Sequence, residues 1–303
     1  MKRAIISGAT GAVGTALIRK LIEENVEVLV LARKDSKRLS VLPQHELVTI
    51  KPCSLEEMAT LPNDTGREYD VFYHLAWSGT FGPSRNDMYL QNKNVQYALD
   101  AVGLAKRFGC HTFVGAGSQA EYGRTDEIMS ETTPTFPETG YGMAKLCAGQ
   151  MTRSYAHALG LKHIWVRILS VYGENDGAGS MISTTIEKLL NHERPVFTEG
   201  TQLWDYLYSG DAANALFLLG EKGRDGRIYV TASGETAPLR DYITRLRDVV
   251  APDAELGFGE YVPAAPPLSI QADITPLKQD VGFAPQVSFE EGVRRILASR
   301  NGK

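Results

Sequence analysis

Cysteine is scarce: the 303 residues hold three, Cys53, Cys110 and Cys147, far apart and without any Cys-x-x-Cys spacing. An odd count with no framework argues against a disulfide scaffold or a thiolate metal site and fits free thiols in a reducing compartment. Basic residues are not in excess, with 32 Lys and Arg against 36 Asp and Glu and a formal charge of -4, which speaks against a nucleic-acid surface. Long apolar runs are missing too. Lys2 and Arg3 precede Ala4-Ile5-Ile6-Ser7 in the charge order of a secretion signal, but glycine follows too soon for the apolar core such a signal needs. No stretch approaches the length of a membrane span. No internal repeat or low-complexity tail is visible. The expectation is a cytoplasmic protein with neither a membrane nor a nucleic acid as partner.

Hydrophobic residues make up 43% and charged residues 22%, ordinary for a globular protein with one large domain, or a domain and a smaller lobe. Short apolar runs at residues 3–7, 26–31, 47–50, 71–75, 112–114 and 164–171 read as strands. Helical spacing marks residues 12–24, 85–108 and 141–159, the second with Met88, Val95, Leu99, Val102 and Phe108 near one stripe. Strands apolar on both faces, alternating with helices, predict a parallel sheet covered on both sides: α/β, doubly wound, of Rossmann type. After residue 172 the texture changes. Turn residues crowd 173–179, helical stretches near 181–191 and 211–221 alternate with short strands, and Pro263, Pro266 and Pro267 mark a loop. The expected division is a dinucleotide-binding domain over 1–172 and a mainly substrate-binding lobe over 173–303, with the helix near 211–221 returning to the first.

Gly8-Ala9-Thr10-Gly11-Ala12-Val13-Gly14 stands between the first strand and the first helix. Glycines there allow a tight turn and a close approach to a pyrophosphate, which the helix N-terminus attracts. The spacing is Gly-x-x-Gly-x-x-Gly rather than Gly-x-Gly-x-x-Gly, and a plain structural turn is the competing reading. The second strand ends Ala32-Arg33-Lys34, where an acid would bind ribose hydroxyls; the nearest, Asp35, comes late. Arg33, with Lys34 or Arg38, could pair with a 2′-phosphate, which favours NADP(H) over NAD(H), against the alternative of a solvated basic turn. Tyr141 and Lys145 lie four apart, on one helical face. An ammonium beside a phenol would lower its pKa, letting Tyr141 give or take a proton at a carbonyl oxygen. Ser118, beyond a strand, could hydrogen-bond that oxygen. Alone, Tyr-x-x-x-Lys is a packed tyrosine beside a solvated lysine as often as not.

These features occur in the order of the extended short-chain dehydrogenase/reductase family, and the chain resembles its nucleotide-sugar epimerase and reductase branch over nearly its whole length. The resemblance includes Asp70–Ala76, Asn94-Val95, Ser118–Gly123, Arg167–Gly173 and Trp204–Asp211. It implies that Gly8, Thr10, Gly11, Ala12, Val13, Gly14, Arg33, Leu75 and Ala76 hold the cofactor with Tyr141 and Lys145. It implies a catalytic triad of Ser118, Tyr141 and Lys145, and substrate contacts from Trp77, Ser118, Gln119, Ser170 and Trp204, with no metal. His74 carries no assigned chemistry. Asn94 is either a buried helix-to-loop hydrogen-bonding group or a substrate contact.

Departures narrow the reaction. Dehydratases of the family follow the Ser118 position with Asp-Glu; here Gln119 and Ala120 cannot act as acid or base. Ser170 and Trp204 stand where many members have an Asn and an Arg that touch the sugar nucleotide's diphosphate. Trp204 either stacks on a base or sugar face or anchors the core. The Ser118–Gly123 and Leu203–Tyr206 segments are similar to 4-keto-hexose reductases of the CDP-abequose and CDP-paratose synthase type. The leading expectation is NADPH-dependent reduction of a 4-keto group on a nucleotide-activated deoxysugar. An NAD-dependent nucleotide-sugar epimerase is the alternative, and a non-catalytic dinucleotide sensor the remote one. The family also implies a homodimer formed through the long helix and the tyrosine-bearing helix.

Overall fold

In β1 (Arg3–Ser7) side chains alternate across the strand, and both faces are dry: Ala4 and Ile6 pack on one side and Ile5 on the other. That two-sided burial places β1 mid-sheet, paired in parallel with β2 (Glu27–Ala32) and β4 (Val71–His74). The chain is described from a computed structural model over residues 1–177, 179–263 and 268–301; Ala178, Pro266 and Pro267 of the turn and loop readings lie outside these. With β3 (Val48–Pro52), β5 (Thr112–Ser118), β6 (Lys162–Ile168) and a later strand, Ile228–Thr231, they form a seven-stranded sheet. Its order is β3-β2-β1-β4-β5-β6 followed by that later strand, every pair parallel. This is the expected doubly wound α/β fold, and strand order reverses between β1 and β4, where such sheets open a crevice at their carboxyl edge.

Helices α1 (Ala12–Glu23), α2 (Met88–Arg107) and α3 (Gly140–Ala158) cross between strands. After β7 (Ser170–Tyr172) come α4 (Met181–Leu190), β8 (Val196–Phe197), β9 (Leu203–Trp204), β10 (Tyr206–Tyr208) and α5 (Ser209–Lys222). The strand at Ile228–Thr231 is β11, followed by β12 (Ala237–Pro238), α6 (Leu239–Val250), β13 (Gly257–Phe258), α7 (Thr275–Val281) and α8 (Phe289–Asn301). Helix α5 packs beside α1 on one sheet face, and α2 pairs with α3 on the other. The remaining small strands pair as β7/β10, β9/β12 and β8/β13. They and α4, α6 and α8 enclose a separate core of Tyr172, Ile182, Ile186, Tyr242, Leu246 and Phe289.

Three boundaries differ from the sequence reading, each for a packing reason. The long helix starts at Met88 because the Asp87 side chain accepts from the Leu90 N–H at 3.1 Å and caps it, after a 3-10 turn over Gly82–Asn86. Of the proposed stripe, Met88 is 55% exposed and Leu99 half-buried; the buried face runs through Val95, Ala98, Ala101, Val102 and Ala105. The strand expected over 112–114 continues through Gly115-Ala116-Gly117, because the Trp165 ring of β6 lies across β5: a Cβ on Gly115 or Gly117 would sit 2.4 Å from it. The single run over 164–171 breaks at Leu169, and its end, β7, pairs with β10 instead of the sheet.

One sheet face carries a ladder of rings. Phe113 stacks between His74 (6.1 Å) and His163 (5.8 Å), and His163 lies 6.1 Å from Trp165. Both imidazoles are buried, and burial pushes each down to about 3. In the unfolded chain an imidazole takes up a proton near pH 6.5. Below that pH the unfolded state therefore binds protons that the folded state refuses until about 3, and stability falls as pH drops through this window. Urea titrations from pH 7 to 5 should show that decline. His163→Phe, which keeps the ring stack, should flatten it by up to about 1.4 kcal/mol per pH unit; an unchanged slope would assign the decline to other groups.

Candidate active site

The three glycines of the first turn are required for three different reasons. Gly8 has φ +77°, and a Cβ there would meet the Ala76 nitrogen at 2.5 Å, so it sets the turn against the end of β4. A Cβ on Gly14 would lie 2.4 Å from the Gly8 carbonyl, so it brings α1 tight against the strand. Gly11 meets only the Gly8 oxygen at 3.7 Å; its bareness serves no internal packing and leaves backbone open to a ligand. Gly11 caps α1 without a side-chain bond, and the first turn, begun by Ala12 and Val13, holds no acid. Those N–H groups make a cradle for an anion.

Beside this turn opens a cleft of about 440 Å³, bounded by Gly8–Thr10, Leu31–Arg33 and Ala76–Gly79. The residues present fit a dinucleotide: bare backbone, a helix N-terminus and apolar walls. Leu75 is not part of the wall; it sits behind Gly8, its N–H bonded to the Ser7 carbonyl at 3.0 Å. Arg33 lines the mouth and has no ion-pair partner among the described residues. Arg38, proposed as its companion, instead donates to the Asn175 carbonyl.

Thr139 caps α3, accepting from the Gly142 N–H at 3.1 Å. A Cβ on Gly142 would lie 2.2 Å from the Ala120 carbonyl, so the helix presses directly on the turn that follows Ser118. That contact brings Tyr141 to Ser118. Ser118 is held at both ends: its N–H donates to Glu121 Oε1 at 2.8 Å and its hydroxyl accepts from the Ala120 N–H at 3.2 Å. Gln119 follows, half-buried.

Lys145 departs from the expectation that it lowers the tyrosine's pKa. Its ammonium is buried, donates to the Ala116 carbonyl at 2.6 Å and stands 3.8 Å from the Trp77 ring, but 5.9 Å from that of Tyr141. Burial outweighs every other influence on the phenol and raises its pKa; the Ser118 hydroxyl and the Arg85 guanidinium act the other way. Burial also brings Lys145 down to about 7, against the pull of Glu121. Trp77 meets Tyr141 edge to face at 6.1 Å and also lines the cleft, so it joins the two sites.

Several residues the sequence reading did not assign shape this centre. Arg85 stacks 4.5 Å over the Tyr141 ring; nothing in the sequence marks it. Glu121 is fully buried and accepts from Arg167 Nε at 2.8 Å and Trp165 Nε1 at 3.0 Å. Gln91 accepts from Trp77 Nε1 at 2.8 Å. Asn94 resolves as the helix-to-loop group: it bonds both the N–H and the carbonyl of Ser78 at 2.9 Å. Two polar residues three apart on a buried helix face were the available signal for this pair. Ser170, on β7, and Trp204, on β9, lie in small two-stranded sheets outside the main one, and neither bonds or stacks with Tyr141, Lys145 or Ser118 among the described residues. Trp204 packs between two cores, 6.1 Å from Tyr206, its Nε1 buried without a partner. Among the described residues no group of three or more His, Cys, Asp or Glu could hold a metal, and no helix is long and apolar enough to cross a membrane.

Residues 4–232 match the NAD dependent epimerase/dehydratase family. The chain belongs to that family, a branch of the extended short-chain dehydrogenases/reductases. It is therefore an enzyme of the NAD(P)-dependent oxidoreductase type. A putative UDP-glucose 4-epimerase of Methanocaldococcus jannaschii is 25% identical over 97% of this chain and 96% of its own. The fold is shared with the UDP-glucose 4-epimerase of Thermotoga maritima, solved with UDP-glucose (TM-score 0.87, 22% identity, 99% of both chains). It is shared equally with the UDP-glucuronic acid 4-epimerase of Bacillus cereus, solved with UDP-glucuronic acid and NAD (TM-score 0.84, 20% identity, 99% of both chains).

The glycine geometry separates binding from folding. Gly11→Ala should change the urea-unfolding free energy by about 1 kcal/mol or less while weakening dinucleotide affinity at least about tenfold, read by fluorescence titration with NADH or NADPH. Gly14→Ala should lose about 2 kcal/mol of stability through backbone overlap. Unchanged affinity in Gly11→Ala would remove the turn from the binding site.

Proposed function

We propose that this enzyme is a nucleotide-sugar epimerase that oxidises and re-reduces one ring carbon with a retained NAD. The observation that carries the reading is Trp77, which forms a wall of the glycine cleft and touches both Tyr141 and Lys145. The dinucleotide, when bound, supplies the acceptor and donor of the electron pair. Tyr141 takes the proton of the substrate hydroxyl during oxidation and returns it during reduction, with the Ser118 hydroxyl hydrogen-bonding the same oxygen. Lys145 fixes this end of the site through the Ala116 carbonyl and the face of Trp77. The sugar nucleotide seats between the carboxyl edge of the sheet, in the domain of residues 1–172, and the lobe built mainly from 173–303. Trp204 lies in that lobe, and Ser170 at the end of the first domain pairs with its strand β10. Gln119 and Ala120 offer no acid or base for water elimination, which separates this site from dehydratases of the family.

A second reading, NADPH-dependent reduction of a 4-keto nucleotide sugar, is favoured by Arg33, a guanidinium lining the cleft, without an ion-pair partner among the described residues and suited to a 2′-phosphate. The outer faces of α2 and α3 expose Tyr89 (87%), Met143 (48%) and Met151 (45%), which supports a homodimer through these helices. The three free cysteines suit the cytoplasm.

The readings differ in what becomes of the cofactor. Acid release from the purified enzyme should yield NAD, and a nucleotide sugar should reach its epimeric equilibrium with no added dinucleotide. Stoichiometric NADPH consumption with a 4-keto sugar would establish the reductase instead. Tyr141→Phe should lower kcat by about a thousandfold and retain dinucleotide binding; undiminished turnover would remove Tyr141 as the proton carrier.

A further inference from the structure

Arg85 is a cation the proposed chemistry does not use. Its guanidinium lies 4.5 Å over the ring of Tyr141, and one nitrogen donates to the Thr80 carbonyl at 3.1 Å. No carboxylate pairs with it among the described residues. A guanidinium has five N–H donors, so most of its fork is uncommitted, half-buried beside the phenol.

The segment that carries Arg85 is fastened. Gln91 Nε2 donates to the carbonyls of Gly79 and Ser84, both at 2.9 Å, and Asn86 Oδ1 accepts from the Gly140 N–H at 3.0 Å. Gly140 opens the helix that bears Tyr141, so cation and phenol are parts of one framework. A guanidinium so restrained matches a planar anion by two parallel bonds. Its position over the Tyr141 ring puts that anion close to the carbon whose oxygen Tyr141 serves.

We propose that Arg85 reads a carboxylate on the sugar ring, next to the reacting carbon, so that the substrate is an acidic nucleotide sugar rather than a neutral hexose. This rests on the nucleotide-sugar epimerase reading. A diphosphate is the other anion the substrate offers, and it is common to acidic and neutral sugars, so the two sources separate by experiment.

The holoenzyme is assayed with matched pairs, glucuronate against glucose and galacturonate against galactose, each carried on UDP, dTDP or CDP. The expected result is a kcat/KM ratio of acidic to neutral sugar of about thirty or more, the size of one charge-assisted contact. Arg85→Met should bring that ratio close to one, whatever it does to both rates through Tyr141. Arg85→Lys, which keeps the charge and loses the fork, should recover part of it. Bound NAD and the thermal midpoint confirm that each variant is folded, and Arg85→Gln serves if Arg85→Met is not. A ratio that Arg85→Met leaves unmoved, an equal rise of KM for both sugars, or an unmodified enzyme without preference for the acid overturns the inference while the epimerase reading stands. Turnover of neither member of any pair overturns both.

Discussion

The contact on which the site depends is backbone against backbone: α3 rests on the turn after β5 with only the bare Cα of Gly142 facing the Ala120 carbonyl. No side chain fits in that gap, so the helix cannot be displaced outward without separating Tyr141 from Ser118. The same turn is locked from below. Glu121 reaches back to the Ser118 N–H and at once binds Trp165 and Arg167 of β6. Sheet, turn and helix are therefore joined by short bonds within two or three residues of each reacting group. Preorganisation of this kind requires rigid elements rather than loops, and here the strand end and the helix start supply it.

Electrostatics at this point are those of a dry site. Glu121 and Arg167 are both buried, and breaking one member of such a pair strands the other in low dielectric. Glu121 is only a secondary influence on Lys145, which burial draws to about 7. Lys145 is thereby poised to gain or lose charge near neutrality, while Tyr141 is held protonated by burial. A neutral phenol that hands over its proton when a developing oxyanion needs it suits reduction. Oxidation needs the phenolate, which the Ser118 hydroxyl and the Arg85 guanidinium favour against burial.

The strands were legible because a parallel sheet buries both faces, and apolar runs have few other uses. The glycine turn was legible because its residue type answers a steric demand. What escaped reading had no local pattern. Small residues on the buried face of α2 carry little hydrophobic signal, so the bulky Met88 and Leu99 drew attention away from Ala98, Ala101 and Ala105. Gly115 and Gly117 read as a strand end because the ring that requires them, Trp165, lies on another strand. The Tyr141/Lys145 spacing correctly indicated a shared helix face but not which neighbour the ammonium would choose. Ala116 and Trp77, on other elements, decide that. Arg85 had no signal at all, being defined only by a ring it meets across the fold.

Trp77 shows how cleft and triad are made interdependent. It stands three residues beyond the end of β4, and Gln91 of α2 holds its indole nitrogen. One ring thus meets Tyr141 at a right angle, offers a face to the Lys145 ammonium and lines the cleft. A cation resting on an indole face gains about 0.5–2 kcal/mol, more when it is desolvated, which compensates in part for burying Lys145. Any ligand that shifts the Trp77 ring alters that support and the setting of the phenol together. Cofactor seating and proton transfer therefore share a side chain.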